Sequence, residues 1–257
     1  MIPYFSVEKI GVFYTWGIFL ALGFLIPFIF VFGRAKKEGI SRQLVWDIFL
    51  WILVGSILGM RLGYVFQFPK EFFLNPIEIL KFWDGGLTFY GGLFGGIGGA
   101  VFFARHAKLN KKDFLKIADL VALYFPLGII IARIGCFLIN DHRGGLTKMA
   151  WGIIWPDGSI RHPVALYLII NGLIIFMILN LLKNKLKNSG LLSLYFLLIY
   201  SFTRFFLDFT RSKEPLFSDP SFLWFNVSQW ISLFLFIFSL CLLLKKRDGV
   251  DRFSLNR

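Results

Sequence analysis

Three arginines lie within or at the end of long apolar segments, where a charged side chain needs an explanation. They are Arg61, Arg133 and Arg204. Placing an arginine in a membrane-spanning segment costs about 2.5 kcal/mol or more, so each is expected to face a partner or a polar cavity. One interpretation is a side chain that snorkels to the interface or forms an ion pair with Asp119 or Asp208. The other is an anion site, because guanidinium binds phosphate through a planar fork of donors.

An acid and a phenol accompany Arg204. Tyr200 lies four residues before it and Asp208 four residues after it. Residues at this spacing share one face of a helix, so the segment presents a phenol, a guanidinium and a carboxylate as one stripe. Two or three arginines below an outer loop, in a bundle lined with Phe and Leu, would bind a phospholipid headgroup and leave its chains in apolar grooves.

A glycine-rich stretch, "DGGLTFYGGLFGG", surrounds Tyr90. Gly91, Gly95 and Gly99 recur at spacing four, which is the small-residue pattern of closely packed membrane helices. No Gly-Lys-Ser/Thr follows, so the stretch does not fit a P-loop. Tyr90 lies at the entry to this helix. It is either a member of an interfacial aromatic belt or part of a functional site.

The composition indicates that these residues lie in a membrane protein. The chain has 257 residues, of which 57% are hydrophobic and 33 are phenylalanine. A helix needs about 20 apolar residues to cross a bilayer. The sequence predicts an all-α integral membrane protein, one transmembrane domain over 1–257, with no cleavable signal. The seven predicted spans are roughly 12–33, 46–67, 87–104, 115–138, 163–182, 190–209 and 226–244.

The positive charges outside the spans predict the orientation. Seventeen lysines and arginines fall in one alternating set of connections and eight in the other. The richer set is expected in the cytoplasm, which puts the N-terminus outside and the C-terminus inside. The net charge of +13 is therefore explained by topology, aided by anionic lipid, and nucleic acid is not an expected partner.

The outer connections, about 68–86, 139–162 and 210–225, are the more complex ones. The first is long enough for an interfacial arm, and the second is rich in turn residues that predict a small extracytoplasmic loop subdomain with a hairpin or lid. The residues of the arm expected to lie on lipid are Phe72, Phe73, Ile77 and Leu80.

Other classes of function find little support in the sequence. Cys136 and Cys241 both lie in apolar runs, so neither a disulfide framework nor a metal site is expected. A transporter is the runner-up for the whole chain. However, no clear internal repeat or matching pair of broken helices is visible.

The sequence resembles the prolipoprotein diacylglyceryl transferases, most strongly in "ARIGCFLINDHRGG". This segment is similar to the family signature Gly-Arg-Ile-Gly-Asn-Phe-(Ile/Leu)-Asn-Gly-Glu-x-x-Gly. Arg133 and Gly144 match it, and Asp141 stands where the family has glutamate. "RHPVALY" resembles His-Pro-Ser-Gln-Leu-Tyr through His162. "YSFTRFFLDFTR" resembles Tyr-x-x-x-Arg-Phe-x-x-Glu-Phe-x-Arg. The matching residues of this last motif are Tyr200, Arg204 and Arg211, with Asp208 for glutamate.

Several functional positions depart from the family pattern. Tyr90 stands where the family has a histidine often proposed to act in catalysis, and Trp16 where it usually has tyrosine. Cys136 replaces the signature asparagine. Ile139 replaces the second one, unless Asn140 takes that role through a local shift. These changes leave room for a paralogue with altered substrate or chemistry.

The resemblance implies a bacterial inner-membrane enzyme of seven spans. Such an enzyme transfers diacylglyceryl from phosphatidylglycerol to the lipobox cysteine of a preprolipoprotein, forming a thioether and releasing glycerol phosphate. It implies no cofactor and no metal, an active site toward the outer leaflet and, we expect, a monomer. The alternatives are a paralogue acting on another lipid or acceptor, and a non-catalytic phospholipid-binding protein.

The site expected from this resemblance has two parts. The thiol must lose a proton, and the leaving phosphate needs positive charge. Tyrosine is a poor base, so Tyr90 is expected to hydrogen-bond glycerol or phosphate, with His142 or His162 as candidate bases. The expected catalytic residues are Tyr90, Arg133, Arg204 and Asp141. The expected phosphatidylglycerol-binding residues are Arg133, Arg204, Arg61, Trp16, Asn140, Gly144, Tyr200, Asp208 and His162.

Overall fold

A computed structural model describes residues 1–69, 72, 76–81, 88–141, 143–186, 188–214 and 221–254. Within these residues the chain is largely helical, and its strands are two residues long. The helices are α1 (Thr15–Ala35), α2 (Arg42–Gln67), α3 (Phe89–His106), α4 (Lys111–Leu138), α5 (Val164–Leu182), α6 (Leu191–Leu207) and α7 (Val227–Ser254). The strands are β1 (Ile2–Pro3), β2 (Lys9–Ile10), β3 (Phe13–Tyr14), β4 (Ile153–Ile154), β5 (Ile160–Arg161), β6 (Ser221–Phe222) and β7 (Phe225–Asn226).

Six of the described helices are long and apolar enough to cross a membrane. They are α1, α2, α4, α5, α6 and α7, and they confirm an integral membrane protein. The third predicted span, 87–104, begins outside the described residues and corresponds to α3. This helix has 18 residues, several glycines, and Arg105 and His106 in its last turn. Seven crossings remain a prediction.

The chain forms two compact units. One contains residues 1–30 and 118–257, and the other contains residues 31–117. The second unit is built on α2 and α3, and the first holds α5, α6, α7 and every strand.

Glycines bring α2 and α3 into backbone contact. A Cβ atom at Gly59 would lie 2.2 Å from the Gly91 carbonyl oxygen, and one at Gly95 would lie 2.1 Å from the Gly55 carbonyl oxygen. Any side chain at these positions would push the two helices apart. The prediction of close packing from the spacing of the α3 glycines is therefore confirmed.

In the first unit, small residues also set the distance between α1 and α4. A Cβ atom at Gly128 would lie 2.5 Å from the Gly23 carbonyl oxygen, and one at Gly135 would lie 2.5 Å from Cβ of Phe19. This close approach places the first turn of α1 beside the last turns of α4. Trp16, a residue of the expected site, meets Cys136 there.

Short strands organise the connection between α4 and α5. β4 pairs antiparallel with β5, so that Ile153 lies opposite Arg161, and β1 adds parallel to β4. The connection therefore contains the hairpin that its turn residues predicted. An isolated bridge between Gly144 and Arg211 joins this connection to the segment that follows α6.

Candidate functional site

Arg204 and Asp208 form a buried ion pair at the end of α6. Nη2 of Arg204 lies 3.0 Å from Oδ1 of Asp208, and the carboxylate side chain is 0% exposed. Nη1 of Arg211 lies 4.0 Å from the same oxygen. The i, i+4 spacing had predicted that Arg204 and Asp208 share a face, and the structure confirms it. One carboxylate thus lies between two guanidinium groups.

Arg204 keeps one donor available. Its side chain is 9% exposed, and Nη1 is buried without a hydrogen-bond partner among the described residues. A buried donor left unpaired is costly, so this nitrogen favours an acceptor from outside the described part of the chain. Tyr200, one turn earlier, stacks its ring on Phe196 at 5.6 Å between centroids. Its expected role in lipid binding stays a prediction.

Arg133 lies near the outer end predicted for α4 and has weaker protein partners than Arg204. Nη1 lies 3.7 Å from the sulfur of Cys136, and Trp16 of α1 also hydrogen-bonds this thiol group. Within the described residues this sulfur is the one hydrogen-bond acceptor of the Arg133 guanidinium, which is only partly buried. Arg133 therefore retains several donors for an anion.

Asp119 does not neutralise either arginine in the structure. Its carboxylate accepts hydrogen bonds from the backbone N–H groups of Gly190 and Ser193, at 2.5 and 2.8 Å. The hydroxyl of Ser193 donates to it as well. Asp119 thus caps the start of α6, where the unpaired N–H groups and the helix dipole favour an anion. Of the two ion pairs considered from the sequence, the structure shows the one with Asp208.

The turn after α4 places a second group of expected residues together. Asn140 has a left-handed backbone with φ of 48°, and its side-chain amide donates to the Phe5 carbonyl. The Asp141 N–H donates to the Cys136 carbonyl at 3.0 Å. Because the side-chain amide of Asn140 donates to the N-terminal segment, Asn140 helps to hold the turn in place. Its contact with lipid stays a prediction.

A small cavity lies under this turn. Its volume is about 10 Å³, roughly the space that one water molecule needs. It can hold a water or part of a small polar group, and it is too small for a lipid headgroup. Its lining includes Cys136, Asn140, Asp141, Gly144, Trp155 and His162.

His162 lies beside Tyr167, in surroundings that favour its neutral ring. Its Nδ1 lies 3.0 Å from the Tyr167 hydroxyl, which accepts the Trp151 indole N–H at 2.9 Å. The hydroxyl oxygen can accept the indole N–H and still either donate to Nδ1 or accept from it, so the direction of this bond depends on the tautomer of the ring. Burial lowers the pKa of His162, which also favours the neutral ring. Its expected roles in lipid binding and as a candidate base stay predictions.

Gly144 is required by the backbone around it. A Cβ atom there would lie 2.1 Å from the His162 carbonyl oxygen. The next residue, Gly145, donates its N–H to the Thr210 carbonyl at 2.9 Å and accepts the His162 N–H at 3.0 Å. The glycine pair thus lets the α4–α5 connection contact both the start of α5 and the segment after α6.

Arg161 is a structural residue that the sequence did not single out. Its charge had been assigned to topology, yet the residue is 4% exposed. Nη2 donates to Oε1 of Glu214 at 2.6 Å, Nη1 to the Gly144 carbonyl at 3.1 Å, and Nε to the Ser159 hydroxyl at 2.8 Å. It therefore ties the β4–β5 hairpin to the segment that begins with Asp208. Its main partner lies 53 residues away, so no local pattern signals this role.

Arg143 is held by a neighbouring acid and ring. It donates to Asp157, and its guanidinium lies 4.9 Å from the centre of the Trp155 ring. Hydrogen bonds from Ser159, with the Arg143 charge as a smaller cause, lower the pKa of Asp157 to about 2. His142, the neighbouring candidate base, lies outside the described residues.

Arg61 has backbone partners in the second unit. Nε donates to the Ile79 carbonyl at 2.9 Å, and Nη2 donates to the Glu78 carbonyl. Its guanidinium also lies 5.2 Å from the centre of the Phe72 ring. These contacts explain how Arg61 can be buried without binding an anion. Its expected role in lipid binding therefore stays a prediction.

The arm formed by the α2–α3 connection is only partly as predicted. Phe72 is buried with 8% exposure, so the expectation that it lies on lipid is wrong. It packs under Arg61 and against Tyr64, since a ring face is a favourable surface for guanidinium. Ile77 and Leu80 are exposed, at 70% and 71%, as predicted for lipid contact. Phe73 lies outside the described residues.

Tyr90 is the second residue of α3. The residue before this helix, Thr88, bonds its N–H to the Met60 carbonyl of α2 at 3.1 Å. The start of α3 is thus fixed on α2. The side chain of Tyr90 lies outside the described part of the structure, and its expected role stays a prediction.

Comparison with known proteins gives a consistent result. The profile of the family described as prolipoprotein diacylglyceryl transferase matches residues 4–245. Three relatives carry the name phosphatidylglycerol–prolipoprotein diacylglyceryl transferase. The one from Aeromonas hydrophila is 37% identical over an alignment of 216 positions that covers 81% of this chain and 75% of the relative. The one from Pseudoalteromonas atlantica is 35% identical over 203 residues, covering 77% and 71%.

A third relative extends the similarity to nearly the whole length of both chains. The protein from Nitratidesulfovibrio vulgaris is 29% identical over an alignment of 263 positions that covers 98% of each chain. The family match includes the segments that carry Arg133, Arg204 and the turn after α4. The chain therefore belongs to the prolipoprotein diacylglyceryl transferase family.

Proposed function

We propose that this protein is a transferase that carries out the first step of lipoprotein maturation. It moves the diacylglyceryl group of phosphatidylglycerol to the lipobox cysteine of a preprolipoprotein. Its membership of the family and the names of its relatives support this substrate pair. The observation that carries the proposal within the chain is the buried Arg204, which is paired with Asp208 and has a donor at Nη1 that no described residue engages.

The reaction requires a bond change at one glyceryl carbon. The lipobox sulfur forms a bond to this carbon, the carbon–oxygen bond to phosphate breaks, and the electron pair leaves with glycerol phosphate. The thiol proton passes to a base. Positive charge placed at the phosphate lowers the barrier, because negative charge grows on the leaving oxygen.

Arg204 and Arg133 are the proposed phosphate ligands. Asp208 fixes the position of Arg204 through its ion pair with Nη2 and leaves Nη1 for the phosphate. Arg133 offers the donors that its single sulfur contact leaves unused. Arg61 is a weaker third candidate because backbone carbonyls already engage it.

The remaining expected residues surround the headgroup in this proposal. Asp141 orients the turn after α4, and His162 contributes a ring nitrogen to headgroup binding. Tyr90 hydrogen-bonds the glycerol or phosphate, and the base lies elsewhere, with His142 and His162 as the candidates. The other proposed contributors to lipid binding are Trp16, Asn140, Gly144 and Tyr200.

The proposed setting is the bacterial inner membrane. The chain would cross it seven times as one transmembrane domain, with the N-terminus outside and the C-terminus in the cytoplasm. The active site would open toward the outer leaflet, where the arginines at the ends of α4 and α6 would meet phosphatidylglycerol. We expect a monomer that works without a cofactor.

Purified protein tests the proposal in liposomes that contain phosphatidylglycerol and a lipobox peptide. We expect a thioether product and an equal amount of glycerol phosphate. Arg133→Ala and Arg204→Ala should each lower the rate about 10²-fold or more, as for the loss of a donor to a developing anion. Arg34→Ala is the matched control, because Arg34 forms a solvent-exposed pair with Glu38. It should retain full activity.

The alternatives predict different outcomes. A non-catalytic lipid-binding protein would bind phosphatidylglycerol and give no thioether, and a paralogue would accept another lipid or acceptor. A transporter would give solute flux in the same liposomes. The comparisons favour none of these. A well-folded wild-type protein that makes no thioether, and that fails to restore lipoprotein modification in a transferase-depleted bacterium, would refute the proposed activity.

A further inference from the structure

The hairpin before α7 has an unusual turn. β6 and β7 pair so that Phe222 lies opposite Phe225, which leaves Leu223 and Trp224 as a two-residue turn. Both have positive φ, at 45° and 75°. Tight hairpin turns of this kind favour Asn and Gly, because a Cβ atom is strained at positive φ. Two large apolar residues at these positions indicate that their side chains are needed there.

The hairpin before α1 provides an internal comparison. β2 and β3 also enclose a two-residue turn, formed by Gly11 and Val12. There Gly11 has the positive φ, 62°, so the turn follows the usual chemistry. The chain can therefore make a tight turn before an apolar helix without this strain. The Leu223–Trp224 turn has no glycine at its positive-φ positions and therefore keeps the strain.

The base of the β6–β7 hairpin is fixed to the protein. The Phe225 ring lies 5.2 Å from Phe205 and 5.5 Å from Trp230, between ring centres. The Trp230 indole donates to the Phe222 carbonyl at 2.9 Å. These contacts hold the hairpin on α6 and α7, so the direction of its turn is defined.

A reciprocal cap joins the same hairpin to α7. The Gln229 N–H donates to the Asn226 side chain at 2.7 Å, and the Asn226 N–H donates to the Gln229 side chain at 3.0 Å. This is a capping box, which satisfies two backbone donors at the start of a helix. The turn is therefore placed at a fixed distance from the first residue of an apolar span, Val227–Lys246.

The protein does not bury the two side chains of the turn. Trp224 is 96% exposed and Leu223 is 62% exposed. An indole has an apolar ring and one N–H donor, and this combination suits the headgroup level of a bilayer. An apolar span starts three residues after Trp224, so the lipid that surrounds this span also lies next to the turn. A peptide partner has no such continuity with the chain.

We propose that the Leu223–Trp224 turn is a membrane anchor that inserts into the lipid headgroup and upper acyl region at the end of the bilayer where α7 begins. Its partner is phospholipid, whichever headgroup it carries. The proposal does not depend on the transferase reaction, because it concerns the position of α7 in the bilayer.

Photo-crosslinking tests the anchor in the full chain. Trp224→p-benzoylphenylalanine is reconstituted in liposomes of phosphatidylglycerol and phosphatidylethanolamine, with a lipobox peptide present, and irradiated. We expect a protein–phospholipid adduct by mass spectrometry. The same probe at Met149, an exposed residue in the α4–α5 connection, should give at least fivefold less. Equal lipid adducts at both positions, a peptide adduct at position 224, or no adduct would overturn the proposal.

Fluorescence provides a second measurement that does not require the crosslinker to fit. The chain has eight tryptophans, and the difference between wild type and Trp224→Phe isolates the emission of Trp224. We expect phospholipid brominated high on its acyl chains to quench most of this difference, and aqueous iodide to quench little of it. Iodide quenching as strong as for free tryptophan would show a turn in water and overturn the proposal.

Discussion

Removal of the Asp208 charge is expected to destabilise the protein strongly. Asp208→Asn keeps the shape of the side chain but leaves Arg204 as a buried cation that has lost its carboxylate. Loss of one partner of a buried pair costs about 3–5 kcal/mol. The present pair belongs to this class because its two side chains are 9% and 0% exposed. Arg211, at 4.0 Å from the same oxygen, would lose a second favourable interaction.

The chain contains a matched control for this substitution. Arg34 and Glu38 are also an i, i+4 pair, also at 3.0 Å, but their side chains are 32% and 44% exposed. An exposed pair of this kind contributes about 0–1 kcal/mol. Glu38→Gln should therefore have little effect. The comparison holds spacing and distance constant and varies burial.

Thermal unfolding in detergent measures both variants. At about 2–4 °C per kcal/mol, Asp208→Asn should lower the midpoint by about 6–20 °C. Glu38→Gln should lower it by about 4 °C at most. Transferase activity of folded Asp208→Asn should also fall, since Arg204 loses its fixed position. Equal and small shifts for the two variants would refute the reasoning from burial.

Three further predictions concern other parts of the molecule. Gly95→Val should separate α2 from α3 and lower the unfolding midpoint by several degrees, whereas Gly98→Val should not, because a Cβ atom at Gly98 would meet none of the described atoms within 4 Å. Tyr90→Phe should lower the transferase rate if the phenol bonds the substrate, and full activity would exclude that role. His162 has a pKa below its ordinary 6.5, so its neutral ring contributes stability that is complete above pH 6.5 and is lost as pH falls below it. His162→Gln should flatten the fall in unfolding midpoint between pH 6.5 and 5, and an unchanged pH profile would contradict this.

Features set within one helix were predictable from sequence. Arg204 and Asp208 are four residues apart in an apolar helix, so their pairing follows from helix geometry alone. The spacing of the α3 glycines likewise predicted a close helix contact. The partner was not predicted, although α2 carries glycines at the same spacing, at positions 55, 59 and 63. A spacing identifies a contact surface, whereas its partner depends on the tertiary fold.

Features set by distant parts of the chain were not predictable. Arg161 was counted with the loop charges, and its burial depends on Glu214, which is far away in sequence. Phe72 was expected on lipid because it is apolar and lies in a predicted interfacial segment. The structure buries it under Arg61, and a hydropathy pattern contains no information on such a pairing. The hydrogen bond between His162 and the Tyr167 hydroxyl was not predicted either.

The bridge between Gly144 and Arg211 has a consequence for the design of chimeric transferases. Together with the Arg161–Glu214 bond, it fastens the connection after α4 to the segment after α6. The two segments therefore form a single exchange unit. Grafting one of them from a relative would leave a buried guanidinium or a backbone strand edge facing an unmatched surface. Both segments must be exchanged together for the arginines at the ends of the recipient helices α4 and α6 to keep their positions.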